Sequence, residues 1–383
     1  MGAGNRPASV SRIPPPDRTV IVTRYLIREI NKPLLALSLA LVAIFAGYSA
    51  AVFLTQAANG VLPTNVVVEL IALKTNIALE VLLPIALYLA VIIALGRLHT
   101  DSEMTALHAL GVSPLQVLRA VSYLALTFAV LIAVLAFYVR PWSYERSYQL
   151  KARANAEFSL SDVKPGSFNE NASGTRVIFA AGRAAAGGLE RVFMQREHGR
   201  RTQVLYAMRA SQERDPRYDA PLLHMRDVHL YDLSRDGGVD RIVRVARLTY
   251  HMNEPPVKPV GFQRKAASMS RLAASHTAPD IAEYQWRLST PLSTVLLAIL
   301  GIPLSRARPR QGRYAKMLVA VLVYAGYYSL DIMLKVWVGR GVLGTLPGVW
   351  LAPGALALVA LTAWHQPLAT LRRRRAGAAQ AHP

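Results

Sequence analysis

The chain has 383 residues, of which 52% are hydrophobic and only 17% are charged, and its mean hydropathy is +0.26. This composition is too apolar for an ordinary soluble enzyme and is typical of a membrane protein. Lys and Arg number 44 against 23 Asp and Glu, which gives a formal net charge of +21. The chain contains no cysteine, so disulfides, thiol catalysis and Cys-type zinc sites are excluded.

The N-terminal segment 1–19 lacks the apolar stretch of a signal peptide and contains a run of three prolines, so we expect a disordered extension. The first long apolar stretch, Leu34–Leu54, has 21 residues without a charge, enough for a helix to cross a hydrocarbon core of about 30 Å. Small residues recur along it at three- and four-residue spacing, which permits close helix contacts. Gly47 and Ala51 are therefore candidates for a seam that admits lipid, and ordinary packing within the chain is an equal alternative.

Five further apolar stretches have the length of a membrane span, at Ile77–Leu95, Ala120–Val139, Leu288–Leu304, Met317–Leu334 and Val342–Trp364. Three spans precede a long polar insert and three follow it. The sequence therefore predicts a membrane bundle of six transmembrane helices in a 3+3 arrangement, with spans one to three within 20–140 and spans four to six within 287–366.

The positively charged residues indicate the orientation of this bundle. They concentrate in the N-terminal segment, in the loops after spans two and four, and in the tail 367–383. Basic loops stay in the cytoplasm, so both termini are predicted to be cytoplasmic and the insert 141–286 periplasmic. Much of the positive charge is then a topology signal and a contact for anionic lipids, which makes nucleic-acid binding an improbable explanation of it.

The loop between spans two and three carries the most informative local pattern, GRLHTDSEMTALHALGVSP. Thr100 followed by Glu103 fits a capping box, and Gly111 can adopt the left-handed conformation that ends a helix. The pattern predicts a helix over 101–110 with one apolar stripe, formed by Met104, Leu107 and Leu110. A helix this short is unstable alone in water, so we expect a partner surface to hold it.

Glu103 has two interpretations, a helix cap or a carboxylate that docks into a basic groove of a cytoplasmic protein. Asp101 would lie at the first helical position, where its negative charge interacts favourably with the helix dipole. His99 and His108 flank these acidic residues, but their spacing matches no zinc signature, and we predict no metal site.

The polar insert begins with a helical stretch and then changes to short β-branched and aromatic runs separated by Gly, Asp and Pro. The runs are TRVIFAAG, LERVFMQRE, TQVLYAMRA, PLLHMRDVHLYDLS and RIVRVARLTYH. Strands at such near-regular spacing indicate an all-β domain, an antiparallel sandwich or roll.

Three strings resemble a known family: RYLIRE at Arg24–Glu29, the loop GRLHTDSEMTALHALGVSP, and PRQGR at Pro309–Arg313. With the order of three spans, β domain and three spans, they resemble the lipopolysaccharide export permeases of the LptF/LptG type, and RYLIRE and PRQGR are more similar to the LptF branch. The resemblance covers roughly 23–375.

The resemblance implies a β-jellyroll in the periplasm and a heterodimer with an LptG-like permease subunit. It further implies an LptB-like ATPase dimer in the cytoplasm, LptC-like and LptA-like periplasmic jellyroll proteins, and lipopolysaccharide as the cargo. ATP and Mg would be used by the ATPase, and no cofactor is expected in this chain. The family's coupling helix falls on 101–110, and its carboxylate contact to the ATPase falls on Glu103. The candidate coupling site also includes Arg97, Asp101, Ser102, Met104 and Leu107.

The chain carries no GxxxxGK[ST], HExxH or GxSxG motif, so we expect a transport subunit and not an enzyme. Extraction of one long acyl chain from a membrane costs on the order of 10 kcal/mol. That energy must come from a separate ATPase.

Polar residues in spans two and five are candidates for the lipid path. Lys74 and Glu80 lie in or near span two, and the alternative is that Lys74 reaches the interface while Glu80 pairs within the bundle. Asp331 and Lys335 are four residues apart, and a local ion pair is the stronger interpretation. In the insert, the family resemblance makes four residues candidates for contact with acyl chains, and the alternative is that they fill the core of the domain. The four residues are Phe179, Phe193, Leu205 and Tyr206.

The family's basic outer end of span one is missing here, because Gly47–Gln56 contains no Lys or Arg. A contact to a lipid phosphate must therefore come from the partner subunit or from elsewhere. A second functional hypothesis is a membrane anchor that moves nothing and whose β domain recruits periplasmic proteins.

Overall fold

The computed structural model describes residues 18–58, 62–156, 165–170, 176–184, 188–198, 201–214, 221–234, 239–251, 261–306 and 313–364. The predicted basic tail, residues 1–17 of the predicted N-terminal extension and most of the PRQGR string lie outside these ranges.

Nine helices are described. They are α1 Arg18–Ala58, α2 Thr64–Thr100, α3 Glu103–Ala109, α4 Pro114–Val134, α5 Arg140–Ala156, α6 Met269–Ala273, α7 Ala278–Ser305, α8 Arg313–Gly339 and α9 Gly348–Trp364. A π-helical turn, Leu135–Val139, joins α4 to α5, and a 3₁₀ turn, Arg264–Ala266, precedes α6. The helical start predicted for the insert is thus the continuation of span three.

Within the described ranges, five helices are long and apolar enough to cross a membrane: Val20–Ala58, Thr64–Thr100, Pro114–Arg153, Ala278–Ser305 and Met317–Gly339. They contain the first five predicted spans. The sixth predicted span coincides with α9, which is shorter, so the count of six is not confirmed. Residues 342–347, which hydropathy had included in this span, are not helical, and α9 begins only at Gly348, whose φ is 53°.

The chain divides into two compact units. The first comprises the described parts of Met1–Leu41, Glu80–Ala136 and Leu272–Pro383, and the second those of Val42–Leu79 and Phe137–Arg271. The long helices α1 and α2 and the α4–α5 helix contribute to both.

The first unit is a helical bundle whose largest cluster joins α1, α2, α4 and α7. Gly301 shows how closely the helices pack, because a Cβ atom at this position would lie 3.0 Å from Val91 Cγ1. In lipid there is little hydrophobic drive between helices, so close van der Waals contacts of this kind stabilise the packing of α2 against α7.

The second unit contains a small helical cluster and the β-sheet. Phe53, Leu70 and Leu150 pack together there from α1, α2 and α5. The sheet has six antiparallel strands in sequential order: β1 Phe168–Glu170, β2 Arg176–Arg183, β3 Leu189–His198, β4 Arg201–Arg214, β5 Pro221–Ser234 and β6 Arg241–His251. The five runs predicted as strands correspond to β2 to β6, so the antiparallel β region is confirmed. The described strands form one meander, and a jellyroll is not confirmed.

The two faces of this sheet differ in composition. One face buries a cluster of aliphatic residues that includes Ile178, Val192 and Ala207.

Arg191 and Asp227 have φ values of 49° and 54°, and strand pairing is interrupted at these two residues. Left-handed residues of this kind are typical of bulges, which bend a strand.

Candidate functional site

Helix α3 has one buried face and one exposed face. Met104 is 2% exposed and Leu107 packs beside it on the core of the first unit, whereas Leu110 is 78% exposed. The helix ends as predicted at Gly111, whose φ is +90°. Gly111 N donates to His108 O and Val112 N donates to Leu107 O, both at 3.0 Å, which is a Schellman motif.

The start of α3 differs from the sequence prediction. The capping box of Thr100 and Glu103 was wrong, because α2 continues through Thr100 and the Thr100 hydroxyl donates to Gly96 O at 3.0 Å. Asp101 lies in the turn before α3, and the N-cap is Ser102 in the left-handed region with φ 61°. Helix α3 therefore begins at Glu103, two residues later than predicted. A capping box does occur at the next helix, where Ser113 N donates to Gln116 Oε1 at 2.9 Å.

Glu103 is held by α1. The Tyr25 hydroxyl donates to Glu103 Oε2 at 2.5 Å. One turn further along α1, Glu29 is 7% exposed and forms ion pairs with Lys32 and with Arg97 at the end of α2. We call Tyr25, Glu29, Arg97 and Glu103 the α1–α3 clamp. It joins the RYLIRE string to the loop pattern, which lie about 70 residues apart in sequence.

The remaining candidates around α3 are exposed. Asp101 and Ser102 face solvent, and so does Leu115 at the start of α4, which is 60% exposed. Together with Leu110 they form a surface with apolar and acidic character that the first unit leaves uncovered.

A small cavity lies in the first unit, between α2, α7 and α8. Its volume is ≈ 20 Å³, and its lining residues include Glu80, Thr290, Ser293, Tyr327 and Asp331. Glu80 and Asp331 are 1% and 2% exposed. The structure thus brings together two of the predicted lipid-path residues in a space that fits about one water molecule, too small for a lipid headgroup.

Lys335, on α8, contacts residues of α7 and not only residues of its own helix. Its Nζ lies 2.6 Å from Glu283 Oε2 and 3.9 Å from the centre of the Trp286 ring. Arg287, which is fully buried, donates from Nε to Glu283 Oε1 at 3.1 Å. Lys335 thus pairs with Glu283 of the neighbouring helix, and its charge also acts on Asp331, the local partner that we predicted.

Lys74 belongs to a group of cations around an aromatic ring in the second unit. Lys74 Nζ and Arg140 Cζ each lie 5.5 Å from the centre of the Tyr144 ring, and Lys265 Nζ lies 5.6 Å from it. Lys151 Nζ lies 5.7 Å from the Phe53 ring, and its charge acts on Lys74. We call these four cations with Tyr144 the Tyr144 cluster. Like charges gathered in this way favour an anion.

Gly47 and Ala51 lie on an exposed face of α1. A Cβ atom at Gly47 would meet nothing within 4 Å, and Ala51 is exposed beside it. The described part of this chain therefore does not use these small residues for internal packing.

The aromatic candidates of the sheet divide between its two faces. Leu205 packs against the buried aliphatic cluster. Phe179, Phe193 and Tyr206 are cross-strand neighbours in one row on the other face and are partly exposed. The row is extended by Phe168, whose ring centre is 4.9 Å from that of Phe179. Core filling, the alternative from sequence, holds for Leu205 and not for this aromatic row.

No group of three or more His, Asp or Glu side chains within the described ranges could hold a metal ion.

The comparison with known proteins identifies the family. The model of the lipopolysaccharide export system permease LptF/LptG matches residues 24–366. This chain belongs to the LptF/LptG family. It is 29% identical over 357 residues to the lipopolysaccharide export system permease protein LptF of Escherichia coli K12, a match that covers 89% of this chain and 93% of the relative. The LptF protein of Shigella flexneri matches with the same identity and coverage.

Several residues of this LptF/LptG member were not singled out from sequence. Tyr25 and Glu29 were noted only as letters of RYLIRE, although their four-residue spacing puts two polar groups on one helix face. Glu283 and Arg287 have the same spacing but lie at the boundary drawn before span four. No sequence pattern around Tyr144, in the polar start of the insert, indicated a role for it, because that role depends on cations from three separate segments.

Proposed function

We propose that this chain is the LptF-like permease subunit of an ATP-driven exporter. In this proposal it forms a heterodimer with an LptG-like subunit in the bacterial inner membrane and takes lipopolysaccharide from that membrane. Its β domain passes the lipid to LptC-like and LptA-like proteins of a periplasmic bridge. Both termini are cytoplasmic, in agreement with the position of the basic segments. The α1–α3 clamp is the observation that carries the proposal.

The clamp makes α3 suitable as a lever. Two residues connect α3 to α2, and four connect it to α4. Met104 and Leu107 fix it to the bundle core, and the bond from Tyr25 to Glu103 ties it to α1. A push on α3 therefore moves three helices as one body and need not bend a loop. An LptB-like ATPase dimer, which would use ATP and Mg, is the proposed source of that push.

The exposed face of α3 supports a docking role for the residues that the family resemblance identified. Asp101, Ser102 and Leu110 are available to a partner, and Glu103 is partly exposed. A carboxylate can accept about four hydrogen bonds. Glu103 can therefore keep its bond from Tyr25 while its second oxygen contacts a cation of the ATPase. Arg97 has a different role in this proposal, because its bond to Glu29 makes it part of the clamp.

The Tyr144 cluster supports the lipid-binding part of the proposal. Lipid A carries phosphate groups, and the outer end of α1 has no basic residue to receive them. Lys74, Arg140, Lys151 and Lys265 supply four cations in the second unit, and charge-assisted contacts to phosphate are among the stronger hydrogen bonds. The uncovered small residues of α1, Gly47 and Ala51, suit a seam with the LptG-like subunit through which acyl chains enter.

Strand β6 supports contact with a periplasmic bridge. In the described part of the sheet it pairs with β5 on one side, and Ile242 on it is 67% exposed. An edge strand presents unpaired backbone donors and acceptors to a strand of another protein. The aromatic row of Phe179, Phe193 and Tyr206 is the proposed surface for acyl chains.

The coupling proposal is tested by Glu103→Lys in the complex reconstituted in nanodiscs with its partner subunit and ATPase. We expect less ATPase to copurify and less lipopolysaccharide to be released on addition of ATP. Glu213→Lys is the matched control, because Glu213 is an exposed carboxylate on β4 with 77% side-chain exposure. Normal assembly and release by Glu103→Lys would refute the coupling role.

A photocrosslinking residue at Ala51 separates a permease from an anchor that moves nothing. The permease should trap lipopolysaccharide at this position and lose the crosslink when ATP is added. An anchor gives no crosslink, or one that ATP does not change.

A further inference from the structure

The β-sheet brings together three arginines that are far apart in sequence. Arg209 on β4, Arg226 on β5 and Arg247 on β6 lie directly opposite one another in the register of the three strands. All three are exposed. We call them the arginine row. Neighbouring strands are about 4.8 Å apart, so the row holds three positive charges within a line about 10 Å long.

This arrangement is unfavourable for the isolated chain, because like charges directly opposite on neighbouring strands repel each other. Glu190 is the register partner of Arg209, yet within the described ranges no side chain of the arginine row forms an ion pair. Nearer the other end of the same strands, Arg201 of β4 pairs with Asp232 of β5 at 2.7 Å. The charge of the arginine row is thus not compensated by the described part of the chain, and it favours an anion.

The arginine row lies on the same face of the sheet as the aromatic row of Phe179, Phe193 and Tyr206. On β4, Tyr206 and Arg209 each precede a buried alanine, so both point to the face opposite the aliphatic cluster. Between them, Met208 is 47% exposed, and its Sδ accepts a hydrogen bond from the Tyr206 hydroxyl at 3.5 Å. Three residues of a strand span about 10 Å. An apolar line and a cationic line therefore run side by side across the strands.

Two such lines match a ligand that has both an apolar and an anionic part. A guanidinium group can bind a phosphate through two parallel N–H bonds, and aromatic side chains offer a large apolar surface to an acyl chain. A free anion would use only the arginine row, and an uncharged lipid would use only the aromatic row. The position of both rows on one face favours an amphiphile with an anionic head.

We propose that this face of the sheet binds a phosphorylated amphiphile, with its phosphate groups on the arginine row and its chains on the aromatic row. The identity of the ligand rests on the proposed function, because lipid A of lipopolysaccharide has both phosphate groups and acyl chains. The arginine row is separate from the Tyr144 cluster, since its cations come from strands and those of the cluster come from helices and the turn before α6. The β domain then has a phosphate site of its own.

A photocrosslinking residue at Met208, between the two rows, tests the site in the full chain with its partner subunit. The complex is placed in phosphatidylcholine nanodiscs without ATP. The probes are purified lipid A and dephosphorylated lipid A with the same acyl chains. We expect lipid A to be crosslinked at Met208 and the dephosphorylated form to be crosslinked much less.

Arg226→Gln removes the central charge of the arginine row and should lower crosslinking of lipid A at Met208 about tenfold. Its unfolding midpoint should stay unchanged or rise, because the repulsion within the row is relieved. Arg196→Gln is the matched control. Arg196 is an exposed arginine of β3 that lies two residues after Met194, on the face of the aliphatic cluster. This control should leave the crosslink unchanged.

Several results would overturn the proposal. They are absence of a lipid A crosslink at Met208, equal crosslinking of both lipids, and unchanged crosslinking in Arg226→Gln. Loss of the crosslink on addition of equimolar inorganic phosphate would assign the arginine row to free phosphate. If Arg226→Gln instead reduced only the binding of an added LptC-like protein, the row would belong to a protein interface.

Failure of the transport proposal gives a different result. In that case lipid A is still crosslinked at Met208, whereas ATP leaves the crosslink at Ala51 unchanged.

Discussion

The α1–α3 clamp and the Tyr144 cluster handle charge in opposite ways. In the clamp, the Glu29 carboxylate contacts both Lys32 and Arg97, so charges of opposite sign compensate each other within the chain. The Tyr144 cluster gathers charges of one sign, because Lys74, Arg140 and Lys265 approach the same ring. Internal compensation suits a part that transmits force, and an accumulation of one sign suits a part that binds a ligand.

Among the substitutions that test this comparison, Glu29→Ala should have the largest effect on the stability of the protein. The substitution leaves Arg97 without its clamp partner and should destabilise the protein by about 2 kcal/mol, in the range for loss of a largely buried charged partner. The measurement is the midpoint of thermal unfolding in nanodiscs. Lys32→Ala is the control, since the Lys32 side chain is 57% exposed and its loss should cost far less. Equal shifts for both variants would contradict the clamp.

Lys74→Gln tests the opposite expectation for the Tyr144 cluster. Relief of repulsion should leave the unfolding midpoint unchanged or raised, while the loss of one phosphate contact should weaken lipopolysaccharide binding about tenfold. Native mass spectrometry of the purified heterodimer measures the bound lipid. The matched control is Lys32→Gln, a cation of α1 outside the cluster. Undiminished lipid occupancy in Lys74→Gln would remove the cluster from the lipid path.

Tyr25→Phe separates the two bonds of the clamp. It removes the single hydrogen bond to Glu103 and keeps the ring, so the expected cost is about 1 kcal/mol. The ATPase should still copurify, but less lipopolysaccharide should be released per ATP hydrolysed. Tyr123→Phe, at a position 62% exposed, is the control. If release per ATP is the same in both variants, the bond to Glu103 does not transmit force.

Phe193→Ala should give the smallest change in stability. Ile178 lies in the buried face and is 1% exposed, so Ile178→Ala should cost about 2 kcal/mol or more of stability. Phe193 lies in the partly exposed aromatic row, so Phe193→Ala should cost less. Lipopolysaccharide crosslinked to the β domain should nevertheless decrease in Phe193→Ala. If the crosslink yield changes only in step with stability, whether or not the substituted residue belongs to the aromatic row, the result would argue against an acyl-chain surface.

The prediction of α3 shows where sequence patterns succeed and where they fail. Its C-terminal end was predicted, because a left-handed glycine at Gly111 is a local requirement of the backbone. Its N-terminal end was wrong, because Thr100 satisfies a capping pattern but α2 continues through it. Helix continuation depends on the packing of Leu95 and Leu98 into the core of the first unit, which a four-residue pattern does not contain.

Lys335 gives the same lesson for side-chain partners. Sequence spacing offered Asp331 as the neighbour on the same helix, but the tertiary structure brings Glu283 from α7 within 2.6 Å. A periodic pattern can identify neighbours along one helix and has no information on which helix lies opposite.

The sequence by itself determined the family, five of the six predicted spans as helices apolar enough to cross a membrane, and the antiparallel strands β2 to β6. These follow from hydropathy, alternation and motifs, which are properties of contiguous residues. Only the tertiary structure decided that Tyr25 holds Glu103, that three cations meet at the Tyr144 ring, and that Glu80 and Asp331 line one cavity. Each of these brings together residues from separate helices or segments, and their meeting depends on helix packing.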